Sequence, residues 1–89
     1  MEIENKRRDK LDIIAEILDI AKDGLLKTQI MYRANLSFAQ LNEYLDFLTG
    51  MNLLGMEKEN RKKLYRTTEK GERYLQKYND ISYILGKED

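Results

Sequence analysis

Neither cysteine nor histidine occurs in this 89-residue chain, and proline and tryptophan are missing as well. Without cysteine there can be no disulfide and no thiolate nucleophile. Without either residue, haem ligation and the ordinary zinc sites are excluded. Triads and acid–base schemes built on imidazole go with them. Carboxylates and lysines remain, and none falls in a recognisable catalytic arrangement, so no enzyme activity, metal or cofactor is expected. No apolar run approaches the ~20 residues of a membrane span. The opening Met1-Glu2-Ile3-Glu4 is acidic and unlike a signal-peptide core. These absences predict a cytoplasmic protein with no membrane partner.

Charge, by contrast, is plentiful. Charged residues make up 36% of the chain against a usual ~25%. Sixteen cations balance sixteen anions, so the total says little and the distribution more. Residues 11–24 hold Asp12, Glu16, Asp19 and Asp23 against Lys22, a net of −3. Residues 61–67 hold Arg61, Lys62, Lys63 and Arg66 and no acid, a net of +4. A second basic cluster, Lys6, Arg7, Arg8 and Lys10, is diluted by Glu2, Glu4 and Asp9. A chain this short forms one domain with a small core, for which a partner subunit is a natural addition.

The apolar spacing sets the order of elements. Leu11, Ile14, Leu18 and Ala21, widened by Ile13, Ile17 and Ile20, predict a helix over 9–23 that is buried on more than one side, with Gly24 as its stop. Leu25-Leu26 allows only a very short strand. Thr28 reads as the N-cap of a two-turn helix, Gln29–Arg33, with Tyr32 expected in the core. Asn35 suits a tight left-handed turn. Ser37 and Gln40 then form the S-x-x-Q capping box of a helix buried through Leu41, Tyr44, Leu45 and Leu48 and closed by Gly50. Residues 53–59 and 64–67, joined by a polar turn Asn60-Arg61-Lys62-Lys63, predict a hairpin with a charged tip. Thr68 caps a last helix with Tyr74, Tyr78, Ile81 and Leu85 at spacings of 4, 3 and 4, ending at Gly86. Two helices around a short turn, followed directly by a hairpin, make a winged helix-turn-helix. The fold class is thus mainly α with a small β-hairpin. All of 1–89 is read as one domain, with 9–67 as its body and 68–86 as the terminal helix.

The block Lys27-Thr28-Gln29-Ile30-Met31-Tyr32-Arg33-Ala34-Asn35-Leu36-Ser37-Phe38 resembles the K-T-x-I-M-Y-x-A-N-L-S-[YF] segment of archaeal winged-helix proteins of the Sso-ten-a kind. Leu53-Leu54, Tyr65-x-x-Thr68-x-Lys70-Gly71 and Tyr74-Leu75 also look like theirs, so the similarity spans about residues 9–80. The resemblance implies a small chromatin-associated DNA-binding protein, nucleoid-associated in the cytoplasm. It also implies a homodimer held by antiparallel pairing of the last helix. Contacts to DNA would come from the helix opened by Ser37 and from the hairpin. This chain departs from the family in placing Glu43 and Asp46 along that helix, where relatives tend to carry Lys or Arg.

Candidate contacts to double-stranded DNA follow from the motif. The first half of the second helix of a helix-turn-helix faces the major groove, and here it offers Ser37, Phe38, Gln40 and Asn42. Gln and Asn can pair with adenine, and Phe can touch a thymine methyl. Ser37 and Gln40 are equally explained as caps, and Phe38 as a core or staple residue. Arg61, Lys62 and Lys63 at the hairpin tip suit phosphate, where each neutralised charge releases counterions; a solvated turn is the plain reading. Lys58 and Arg66 on the arms of the hairpin, and Lys27, Thr28, Gln29 and Arg33 in the first helix of the motif, complete the set. Tyr74, Tyr78, Ile81 and Leu85 form either a dimer seam or a face docked on the same domain. Double-stranded DNA bound with weak to moderate sequence preference is the expected function, chromatin-associated or transcription-regulating. A protein-interaction module that has lost DNA binding is the alternative.

Overall fold

Asp9 accepts a hydrogen bond from the Asp12 amide at 3.0 Å and so caps the first helix, α1, Lys10–Ile20. This computed structural model describes residues 9–86. The helix stops three residues short of the expected end. A turn over 21–23 follows, and Gly24 adopts φ +92°, a conformation that suits glycine. Ile13, Ile14, Ile17, Leu18 and Ala21 are buried, and α1 packs against the last helix, the first helix of the motif and the sheet. The width of its apolar stripe has that cause. Leu11 is the exception at 58% exposed.

Leu25–Leu26 form the short strand β1. The next helix, α2, spans Lys27–Ala34. Thr28, expected as its N-cap, is instead its second residue, because Gln29 Oε1 reaches back to accept the Leu26 amide at 2.8 Å and starts the helix earlier. Asn35 takes the left-handed conformation (φ 56°, ψ 54°), and the Leu36 amide closes the turn onto the Met31 carbonyl at 3.1 Å. Ser37 then caps α3, Phe38–Gly50, in a reciprocal box. Its Oγ accepts the Gln40 amide at 3.1 Å, while its own amide donates to Gln40 Oε1 at 3.0 Å. Gly50 ends α3 as expected, as its last helical residue, and Asn52 makes the left-handed turn with φ 65°.

The hairpin is tighter than the sequence suggests. Strands β2 (Leu54–Glu59) and β3 (Lys62–Thr67) are joined by Asn60 and Arg61 alone, both at positive φ (51° and 69°), the pattern of a type I′ turn. Lys62 and Lys63, placed in the turn by sequence reasoning, belong to β3. The sheet is antiparallel in the order β1-β3-β2, with Leu25 opposite Tyr65 and Leu54 opposite Thr67.

Thr67 ties sheet to helix: its hydroxyl donates to the Leu18 carbonyl at 2.6 Å and its amide to the Ala21 carbonyl at 3.0 Å, at the carboxyl end of α1 where carbonyls lack helical partners. Ile17, Leu18, Ile30, Leu41, Leu48 and Leu54 are essentially inaccessible. At ~1.5–3 kcal/mol each, these six side chains hold α1, the helix-turn-helix and the sheet as one unit.

The last helix, α4, is Glu69–Leu85. Thr68 Oγ1 accepts the Gly71 amide at 3.0 Å and donates toward the Asn52 and Leu53 carbonyls. Lys70 Nζ donates to the Met51 carbonyl at 2.8 Å, at the end of α3. A Cβ on Gly71 would lie 2.4 Å from the Leu53 carbonyl oxygen. The T-x-K-G segment is thereby explained as the joint between α3, β2 and α4. Gly86, at φ 71°, ends α4 as expected.

Candidate nucleic-acid interface

The start of α2 and the start of α3 meet on the outer surface of the motif, and the hairpin supplies a third set of candidate contacts. Lys27, the first residue of α2, holds its ammonium 4.7 Å from the centroid of the Phe38 ring at the start of α3. Phe38 is 61% exposed. It is therefore neither core nor staple, and an apolar ring with a cation above it stands at the exposed amino terminus of α3. Ser37 and Gln40 are both exposed and hydrogen-bonded to one another's backbone, whereas Asn42 is half-buried. Thr28, Gln29 and Arg33 are exposed on α2, with Gln29 committed to its capping bond. Tyr32, expected in the core, is 78% exposed, because Ile30 and Ala34 provide the buried face of so short a helix.

No lysine or arginine lies on α3. At 100° per residue, Glu43 and Asp46 fall opposite the buried Leu41, Leu45 and Leu48. The outermost surface of this helix is thus anionic, and its fit to phosphate is confined to its amino terminus, where free amides point outward.

The hairpin sorts its cations by face. Cross-strand pairs share a side of a sheet. One side carries Leu54–Thr67, Met56–Tyr65 and Lys58–Lys63; the other carries Gly55–Arg66, Glu57–Leu64 and Glu59–Lys62. Arg66 is spoken for: its Nε and Nη2 donate to Glu57 Oε2 and Oε1 at 3.2 and 3.4 Å. The Glu57 hydrogen bond and charge together push the guanidinium pKa above its ordinary value. Lys58, Arg61, Lys62 and Lys63 are exposed and form no ion pair among the described residues.

The expected interface stripe on α4 divides in two. Tyr74 and Tyr78 stack on one another (centroids 6.3 Å apart, planes 15° apart) and dock on α1 of the same chain. Tyr74 donates to the Leu11 carbonyl at 3.2 Å, and Tyr78 donates to Asp12 Oδ1. That bond, followed by burial, pushes the Tyr78 phenol up to about 12. Ile81 and Leu85 instead stand in solvent at 57% and 67% exposure, accompanied by Tyr83 and Ile84, which the 4-3-4 spacing passes over. Among the described residues no cluster of acidic side chains could hold a metal ion, and no helix is long and apolar enough to cross a membrane.

Comparison with known proteins agrees with this architecture. A family model described as winged helix-turn-helix matches residues 7–85. MJ0287 of Methanocaldococcus jannaschii is 35% identical over 80 residues, covering 89% of this chain and 78% of its own. MJ0290 of the same organism is 36% identical over 80 residues, but the chain spans only 36% of its length. Among solved structures, Sso10a-2, a DNA-binding protein from Sulfolobus solfataricus, superimposes with a TM-score of 0.80 and 26% identity, covering 90% of this chain and 84% of that one. MepR, a transcription regulator of the Staphylococcus aureus multidrug efflux pump MepA, shares the fold at TM-score 0.75 and 16% identity, with coverages of 85% and 60%.

Proposed function

The chain belongs to the winged helix-turn-helix family, and from that premise we propose that it binds double-stranded DNA as a homodimer, chiefly through the phosphate backbone. The observation that carries this reading is the hairpin. Three cations that form no ion pair among the described residues and face no carboxylate across the strands, Lys58, Arg61 and Lys63, crowd the end of a two-stranded wing beyond the core, while Lys62 stands across from Glu59. Phosphate contacts of that kind position a protein on a duplex without reading its sequence. The exposed amino terminus of α3, with Ser37, Phe38 and Gln40 and with Lys27 beside it, adds a shallow second contact. Glu43 and Asp46 oppose deeper entry of α3 into the major groove, which is the physical reason for a weak sequence preference. Sso10a-2, a DNA-binding protein at 26% identity, supports the same reading. A nucleoid-associated role in the cytoplasm follows from it.

The dimer part rests on the last turns of α4. Ile81, Ile84 and Leu85 leave an apolar surface on a helix whose first half is already docked through Tyr74 and Tyr78. A second copy would cover that surface.

A second reading has one observation in its favour: a recognition helix without a single cation suits a protein-interaction module that has lost DNA binding. A mobility-shift titration with a mixed-sequence duplex at about 50 and 200 mM salt separates the two. DNA binding predicts retardation at about micromolar protein or below, weakening sharply at the higher salt. No complex at the lower salt overturns it in favour of the interaction module.

A further inference from the structure

Within the DNA-binding reading above, on which this step rests, we infer that only one face of the wing meets DNA, and that Lys58 and Lys63 on that face clamp a backbone phosphate between them. The inference comes from the register of the hairpin. Lys58 of β2 lies directly opposite Lys63 of β3. Hydrogen-bonded and non-hydrogen-bonded pairs alternate outward from a two-residue turn. Lys58–Lys63, the second pair from the Asn60-Arg61 turn, is of the closer, non-hydrogen-bonded kind, with Cβ atoms about 4.5 Å apart.

Like charges placed directly opposite destabilise a hairpin. No carboxylate among the described residues pairs with either lysine. An external anion of small size and fixed charge relieves that repulsion, and a phosphodiester is the anion a duplex presents at regular intervals.

The opposite face has no such vacancy. Glu59 stands across from Lys62, and Glu57 holds Arg66 through two hydrogen bonds. Its charges are balanced within the wing. The face that carries Lys58 and Lys63 also carries Leu54, Tyr65 and Thr67 at its base, where Thr67 bonds to α1. The clamp therefore overhangs the side of the sheet on which the helices pack, and a duplex lying against the motif passes beneath it.

Two double variants with the same net charge test this. Lys58→Ala/Lys63→Ala removes the clamp; Lys62→Ala/Arg66→Ala removes two cations from the balanced face. Binding of each to a mixed-sequence duplex is followed as log Kobs against log salt. The clamp variant is expected to lose about one to two units of slope, and the control variant to keep the slope of the unmodified protein. Lys63→Glu adds a readout that a structural role would not move. It places opposite charges across the strands, so the melting midpoint rises while DNA affinity falls. Equal losses in the two double variants, or a Lys63→Glu protein that binds DNA as well as the parent, overturns the clamp while leaving DNA binding intact. Failure of the unmodified protein to bind any duplex removes both.

Discussion

Arg61 occupies the second corner of a turn whose geometry suits glycine. At φ 69° its side chain sits in the left-handed region, which costs a non-glycine residue roughly 1–2 kcal/mol. Asn60 before it is one of the few residues that tolerate that region, so the strain lies on the arginine. Arg61→Gly is expected to raise the stability of the protein by about 1 kcal/mol, or ~4–8 °C in melting midpoint for a domain of this size. Affinity for duplex DNA should fall at the same time. Thermal melts and a binding titration on the one variant check both signs. A variant that is less stable would show that the Arg61 side chain supports the turn. This residue is also where sequence reasoning went astray. A four-residue turn through Lys63 follows from counting polar residues. The two-residue turn requires an arginine in a conformation that arginine rarely adopts, and the error moved two lysines off the strand and hid which face each occupies.

Among elements, the helix ends were the most legible, because capping is local chemistry. Ser37 with Gln40, Asn35, Thr68 and Gly86 all act as their residue types predict. Apart from Thr28, displaced from its cap by Gln29, the misses came where an element's neighbours decide the outcome. Tyr32 and Leu11 are apolar enough for a core, yet among the described residues they stay 78% and 58% exposed. The contrast between two glycines follows the same logic. Gly50, at the end of α3, has no atom within 4 Å of the space a Cβ would fill, so Gly50→Ala is expected to stabilise by up to about 1 kcal/mol through helix propensity. Gly71, also helical, would drive a Cβ to 2.4 Å from the Leu53 carbonyl oxygen and 2.7 Å from Thr67 Cγ2. Overpacking against backbone there is expected to destabilise by ~1–3 kcal/mol, reversing the propensity gain. Urea denaturation of the two variants gives the signs directly. A stabilised Gly71→Ala protein would mean that the joint between α4 and β2 gives way without cost.

At the scale of the molecule, α4 does two tasks along its length. Its first half belongs to the domain through Tyr74, Leu75 and Tyr78, and its last turns leave Ile81, Ile84 and Leu85 exposed, the surface proposed above to meet a second copy. The spacing of 4, 3 and 4 could not divide the stripe in this way, since it carries no information on where α1 runs. Ile81→Asp/Leu85→Asp is expected to yield a folded monomer, seen by sedimentation velocity at micromolar concentration where the parent sediments as a dimer. A parent that is itself monomeric there would end the dimer proposal. Charge is divided as the helix is. Zero net charge conceals a wing with an open cationic face and a recognition helix with an anionic one. Backbone attraction without deep groove entry is the mode of binding proposed from this division. The most direct measurement is affinity for a panel of unrelated duplexes, AT-rich, GC-rich and mixed, each followed across a salt series. The account predicts log–log salt slopes of about −3 or steeper and affinities within about tenfold of one another. A preference of ~10³ or more for one duplex, the range of specific operators, or a slope near zero would contradict it.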